Sequence, residues 1–316
     1  MCKNMREVGI PGDYNYIAVF LTLGCNLSCS FCINNYESKA LKRNNHDKML
    51  DGRQWIASLN RIISRSGLPV TLQGGEPLIH PDFVEIVNGV RPDLEIDILT
   101  NLYDKGFITK FLDIAPDRIR RDAPYSSIRV SYHPEQMNLD ELIKNVLILK
   151  DRGYSIGVWS VFHPSQKEKI EKAKKKFLKA GIDFRLKEFL GEYEGKMYGH
   201  YRYKGACDKK FRKDVLCKTT ELIIGPDGSV YRCTSDLYEG RDPIGSILNP
   251  SFQIEDQFRP CDWYGHCNPC DIKLKTDRFQ QLGHSSVEIK GEEVENLSLE
   301  EVEEVKKTIA EFNRPI

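Results

Sequence analysis

No sign of charge predominates in this chain of 316 residues, where 46 Lys and Arg balance 46 Asp and Glu. That balance supplies no global electrostatic reason to bind nucleic acid or an acidic surface. The most basic run, residues 172–179, places Phe177 and Leu178 at helical spacing from Ile170 and Ala173, which predicts a solvated helix face rather than a phosphate site. Long apolar runs are also missing. No window approaches the ~18 apolar residues of a membrane span, and residues 1–16 have neither an apolar core nor a cleavage pattern. A soluble, cytoplasmic protein without a membrane or nucleic-acid partner is the expectation. There is no internal repeat and no low-complexity tract.

Cysteine is absent from the 174 residues between 33 and 206, although the chain has ten. Cys2 stands alone, three fall at Cys25, Cys29 and Cys32, and six lie between 207 and 270. In a cytoplasmic chain such clusters are metal ligands or catalytic groups sooner than disulfides. The first cluster reads C-x3-C-x2-C at the end of a strand-like stretch, residues 16–23. Three thiolates on one short loop can hold three irons of a [4Fe–4S] cluster, which ordinarily has four cysteine ligands. The fourth cysteine of ferredoxin spacing is lacking, so one iron would be open to a small molecule. A zinc knuckle would also need a nearby fourth ligand, and His46 is too far along the chain for a compact site.

Strand and helix signals alternate through the cysteine-free middle. Strands are expected at 70–73, 94–99, 128–132, 154–162 and 183–190, and helices at 81–90, 138–152 and 166–180. With the first strand this makes six βα units, too few for a closed eight-fold barrel. The fold class is therefore α/β, as a partial (β/α)6 barrel with a small cysteine-rich C-terminal domain. Boundaries are placed at 1–190 for the barrel, 191–280 for the cysteine-rich part and 281–316 for an extension with a helix. Residues 221–231 read as a hairpin around the turn Gly225-Pro-Asp-Gly228, and Ser298-Leu-Glu-Glu301 as a capping box. Ligand sites in parallel βα folds lie at the carboxyl ends of strands, where Cys25, Gly74-Gly75 and Thr100-Asn101 all fall.

The C-x3-C-x2-C run with Gly74-Gly75-Glu76-Pro77 about forty residues later resembles the radical S-adenosylmethionine (SAM) superfamily over roughly residues 14–190. The resemblance implies that Cys25, Cys29 and Cys32 hold a [4Fe–4S] cluster whose fourth iron binds SAM. It further implies reductive cleavage of SAM to a 5′-deoxyadenosyl radical, with electrons from a donor such as flavodoxin or ferredoxin. By the same likeness Gly74, Gly75 and Glu76 shape the strand end that meets the methionyl group. Phe31 fills an aromatic slot near adenine, Thr100 and Asn101 lie beside the ribose, and Ser131 is a further SAM contact.

Cys217-x10-Gly228-x4-Cys233 followed by Cys261-x5-Cys267-x2-Cys270 resembles the SPASM and shorter twitch auxiliary-cluster domains of that superfamily. The second half departs from the full SPASM pattern, and six cysteines cannot ligate two cubanes, so one auxiliary [4Fe–4S] cluster is implied. The preferred ligands are Cys217, Cys233, Cys267 and Cys270, with Cys207 and Cys261 as alternatives. Four thiolates suit structural zinc equally well. The segment from Phe189 through Glu192, Tyr193, Lys196 and Tyr198 reads as substrate-contacting or as plain linker. His133 and His163 read as an acid or base, or as turn residues.

These readings imply a radical SAM oxidoreductase, with the auxiliary cluster aiding oxidation. Only about fifteen residues precede the first strand, which tilts the expectation to a small-molecule or sugar-like substrate. A maturase acting on a ribosomally made peptide is the alternative, and a methyltransferase a weaker one. From a different class, a non-catalytic iron–sulfur or zinc-stabilised binding protein would need no SAM.

Overall fold

The structure, a computed structural model, describes residues 5–32, 49–65, 67–241, 243–275 and 284–312. Cys2 and His46 lie outside the described residues. Six parallel strands follow one another in sheet order: β1 (Tyr16–Thr22), β2 (Val70–Gly74), β3 (Ile96–Thr100), β4 (Ile128–Ser131), β5 (Ile156–Phe162) and β6 (Phe184–Glu188). Helices α1 (Gly52–Leu59), α2 (Phe83–Gly89), α3 (Lys105–Leu112), α4 (Leu139–Asp151) and α5 (Lys167–Lys179) alternate with them. β1 is apolar on both faces because both are covered. Ile17, Val19 and Leu21 join the helix-side core, while Ala18 and Phe20 pack with Ile223, Leu237 and Tyr238 on the other face.

The helices form where the periodicity expects them. Asn138 caps α4 by accepting the Asp140 and Glu141 N–H groups, and Leu142, Val146 and Leu149 are buried. Burial of each such side chain contributes roughly 1.5–3 kcal/mol. On α5, Ile170, Ala173 and Phe177 are buried and Lys172, Lys175, Lys176 and Lys179 are exposed. Leu178, expected with the apolar face, is exposed instead. Ser298 caps α8 (Leu299–Phe312) through the expected box, accepting from Glu301 N–H while its own N–H donates to the Glu301 carboxylate.

The sheet runs on past residue 206. After β7 (Lys213–Thr219), strand β8 (Glu221–Ile224) pairs in parallel with β1, Glu221 opposite Tyr16. β9 (Ser229–Tyr231) completes the expected hairpin antiparallel to β8, and β10 (Gly245–Ser246) follows, giving nine strands among the described residues. The sheet is open, with β10 and β6 at its edges. A separate three-stranded sheet sets β7 between β11 (Arg259–Tyr264) and β12 (Val287–Lys290). Two short helices, α6 (Thr234–Glu239) and α7 (Pro269–Ile272), lie between the sheets' connections. Among the described residues, no helix is long and apolar enough to cross a membrane.

Candidate active site

The loop carrying Cys25, Cys29 and Cys32 leaves the carboxyl end of β1 and is held there by β2. The Gly75 N–H donates to Thr22 O (3.0 Å) and the Glu76 N–H to Gly24 O (2.8 Å). This approach needs both glycines. A Cβ on Gly74, whose φ is +149°, would stand 1.9 Å from Thr22 O, and one on Gly75 would stand 2.1 Å from Gly24 O. The backbone that the two glycines admit is therefore the chain entering Cys25.

Glu76 is fully buried beneath this junction. Its carboxylate accepts from the Thr100 hydroxyl (2.8 Å), the Asn101 N–H (2.6 Å) and the Leu78 N–H (3.1 Å). Burial pushes its pKa up to about 7, against those three donors and nearby Lys110. Glu76 thus joins the ends of β2 and β3. Thr100 has its hydroxyl engaged by Glu76 and by the Leu102 N–H (2.9 Å). Asn101 donates from Nδ2 to Asn26 Oδ1 (2.6 Å), with Cys25 Sγ 3.8 Å away, and accepts the Tyr103 N–H at Oδ1. Asn101 thus faces the cysteine loop, while the Thr100 hydroxyl is spent on Glu76 and Leu102.

The three thiols lie within electrostatic reach of one another. Burial pushes the Cys29 thiol up to about 12, with Cys32, Glu135 and Cys25 adding to the rise. The Cys25 thiol is also raised, first by burial and then by Glu76 and Cys32, while the Leu27 N–H opposes. Thiols that hinder one another's ionisation suit a cationic cluster, which would convert them to thiolates. Among the described residues no three His, Cys, Asp or Glu side chains already stand in a metal-ligand arrangement. The donor set itself fits three irons of a cluster and leaves a fourth position for a non-protein ligand.

Phe31 opens an aromatic group at the ends of β4 to β6. Its ring stacks on His163 at 4.9 Å and meets His133 at 6.1 Å and Phe189 at 6.4 Å. His163 also meets Tyr193 edge-on at 4.8 Å, so the hairpin Gly191–Tyr193 with Lys196–Tyr198 rests against the site. The His163 Nδ1 accepts the Ser165 N–H, and burial lowers its pKa. His133 is lowered to about 4, first by burial and then by Lys187, and its buried Nδ1 has no hydrogen-bond partner among the described residues. Ser131 ends β4 two residues earlier. Glu192 and Lys196 are exposed on the hairpin.

The second cysteine group forms around the three-stranded sheet. Cys217 and Cys261 are buried in one apolar cluster, against which Cys207, Cys233 and Cys267 pack. The Cys217 and Cys261 thiols influence each other: Cys261 and burial raise Cys217, while Cys217 and Arg232 lower Cys261. Cys207 Sγ donates to Cys267 O at 3.0 Å. Cys270, expected as a ligand, is not among the residues packed on that apolar cluster. Its charged neighbours are Lys273, Asp271 and Lys187, and Tyr238 feels both Cys270 and Cys32. Cys261, held as an alternative, is buried in that cluster. None of the nine described cysteines forms a disulfide.

Asp271 ties this group together. Its buried carboxylate accepts Thr234 N–H (2.8 Å), Thr234 O–H (2.5 Å), Ser235 N–H (2.9 Å) and Ser235 O–H (3.0 Å). The start of α6, just after Cys233, is thereby fixed to α7. Sequence reasoning missed Asp271, and also Asn26, Glu135 and Gln136 beside the first cysteine loop. Their only signal was a polar residue next to a cysteine or at a strand end.

Fold and site together define an α/β protein with a three-thiol site at the carboxyl ends of parallel strands. Residues 19–164, a little under half of the chain, match the family model described as the Radical SAM superfamily. Such a domain implies SAM and a [4Fe–4S] cluster. The GTP 3',8-cyclase of Nautilia profundicola is 30% identical over 109 residues, 33% of this chain and 33% of that protein. The PqqA peptide cyclase of Gluconobacter oxydans is 35% identical over 99 residues, 31% of this chain and 25% of that protein. The chain thus matches a third or less of the length of these curated relatives. Among solved structures, Streptococcus suis SuiB bound to precursor peptide SuiA has a TM-score of 0.49 at 13% identity, covering 78% of this chain and 64% of that one.

Proposed function

We propose that this protein is a radical SAM enzyme that takes a hydrogen atom from its substrate at the carboxyl face of a partial (β/α)6 barrel. The observation that carries the reading is the junction of the cysteine loop with Gly74-Gly75-Glu76 and Asn101, which anchors the start of the three-thiol loop at one strand end. Cys25, Cys29 and Cys32 would hold the cluster, and Phe31 would cover one side of a bound SAM. When bound, cluster and SAM would supply a reducing electron and a hydrogen-abstracting radical. The chain's own part is to position and to exclude water. Glu76 locks two strand ends, and the Phe31, His163 and Phe189 rings wall the site.

The five-cysteine group at 207–267 supports a twitch-like auxiliary [4Fe–4S] site, with Cys217, Cys233, Cys261 and Cys267 now favoured and Cys207 as the alternative. Oxidation of a small-molecule or sugar-like substrate fits a second redox centre. A peptide substrate is the second reading, favoured by the 191–198 hairpin. Its two strands pair only with each other among the described residues and lie against His163, leaving outer edges to which an extended peptide could add. The curated relatives divide in the same way, one named for GTP and one for a peptide.

The test is anaerobic incubation of reconstituted protein with SAM and a strong reductant. Wild type should release 5′-deoxyadenosine and Cys25→Ala should not. Equal release by both, or none from wild type, removes the enzymatic reading and leaves a metal-stabilised binding protein. Iron counting separates the auxiliary assignments. About eight irons per chain indicates two clusters, whereas about four with one zinc indicates a structural site.

A further inference from the structure

We propose that Glu135, seconded by Gln136, is the positioning residue of the cysteine loop, pinning it on both sides of Cys29 and placing a negative charge beside that thiol. The inference rests on the reading of Cys25, Cys29 and Cys32 as cluster ligands. Glu135 lies between β4 and α4, in a turn closed by the Gln136 and Met137 N–H groups on His133 O. Its carboxylate accepts the Ser30 N–H at 2.7 Å, the Ser30 hydroxyl at 2.8 Å and the Gln166 amide at 3.2 Å. Gln136 pairs with the backbone of Ser28 in both directions, accepting its N–H at 3.5 Å and donating to its carbonyl at 3.3 Å.

Ser28 and Ser30 are the two neighbours of Cys29, the one buried thiol of the three. Neither bond uses a thiol, so the bracket constrains the loop without engaging a ligand atom. Asn101 performs the corresponding task at the other end through Asn26. The ends of β3 and β4 thus grip successive parts of one loop, and Gln166, from the turn after β5, braces the grip. Charge is the second consequence. The Glu135 carboxylate sits on the backbone and hydroxyl of Ser30, the residue next to Cys29. A carboxylate held beside a cluster disfavours electron uptake and lowers its potential.

The experiment compares anaerobically reconstituted full-length wild type, Glu135→Ala and Glu135→Gln. Hydrogen–deuterium exchange at Ser30, cluster lifetime under chelator, and the midpoint potential of the signal that Cys29→Ala abolishes are measured. In Glu135→Ala the Ser30 amide loses a charge-assisted partner, so its exchange should quicken about tenfold, and the cluster should be lost several-fold sooner. Glu135→Gln retains an acceptor for that amide. Its exchange should stay near wild type while the potential moves upward. Unchanged exchange in Glu135→Ala, or an unchanged potential in Glu135→Gln, overturns the proposal. If wild type takes up no iron that Cys29→Ala lacks, the cluster reading fails by itself, and the exchange comparison still decides whether the bracket holds the loop.

Discussion

Substitution of Gly75 by alanine tests whether contact between two backbones builds this site. The new Cβ would lie 2.1 Å from Gly24 O and 2.5 Å from Leu23 O, whereas real Cβ atoms keep at least 3.0 Å. The two strand ends must therefore part by about 0.9 Å, the shortfall on the closer contact. Both obstacles are main-chain carbonyls, so no side-chain rotation relieves them. Parting weakens the Gly75 bond to Thr22 O and the Glu76 bond to Gly24 O. Each bond contributes ~0.5–1.5 kcal/mol, and a buried donor left unpaired costs ~1–3 kcal/mol, so about 2–5 kcal/mol of stability should be lost. Gly89→Ala is the control. There the Cβ meets only side-chain atoms of Ile56, Cδ1 at 2.4 Å, Cγ1 at 2.8 Å and Cγ2 at 3.3 Å, and the overpacking should cost about 1–3 kcal/mol while leaving the Cys25 site filled. Urea unfolding gives the stabilities, and iron per chain after reconstitution reports the site. If Gly75→Ala unfolds within about 0.5 kcal/mol of wild type and fills the Cys25 site normally, the close approach does not build it.

Further outcomes follow from other buried contacts. Because the Glu76 pKa is raised from 4.5 to about 7 in the fold, its protonated form favours the folded state. That contribution is complete below pH 4.5 and is lost as pH rises through 7. Wild-type stability should therefore fall by up to ~3 kcal/mol over this window relative to Glu76→Gln, and parallel profiles in chemical denaturation would contradict it. Cys261→Ala should empty the auxiliary site of metal, whereas Cys270→Ala should leave its metal content unchanged. The reverse result in elemental analysis would restore Cys270 to the ligand set. Asp271→Ala should cost about 2–4 kcal/mol, since four donors lose one buried acceptor, and should release metal from Cys233. Retained stability and metal would show that α6 does not need this tie.

What could be read from the sequence depended on how local the determining interaction is. The alternation of strands and helices from 16 to 190 was legible because periodicity and caps act within one turn or one strand, as at Asn138. Residues 221–231 were legible as a hairpin for the same reason. That β8 continues the large sheet beside β1 was not, because two apolar strands some two hundred residues apart carry no mark of which edges will meet. Helices α1 and α3 were missed, being short and only partly apolar. In the site, the cysteines and glycines declared themselves by type and spacing, while Glu135 and Gln136 are ordinary loop residues until β4 places them against Ser28 and Ser30. The C-x2-C of Cys267 and Cys270 gave the opposite lesson. Spacing alone puts both on one metal, but Asn268 and Pro269 start α7 between them, so whether both thiols reach that metal rests on this turn. A ligand pair two residues apart is thus no safer a reading than the backbone conformation of those two residues, and Cys270→Ala tests that conformation as well as a ligand.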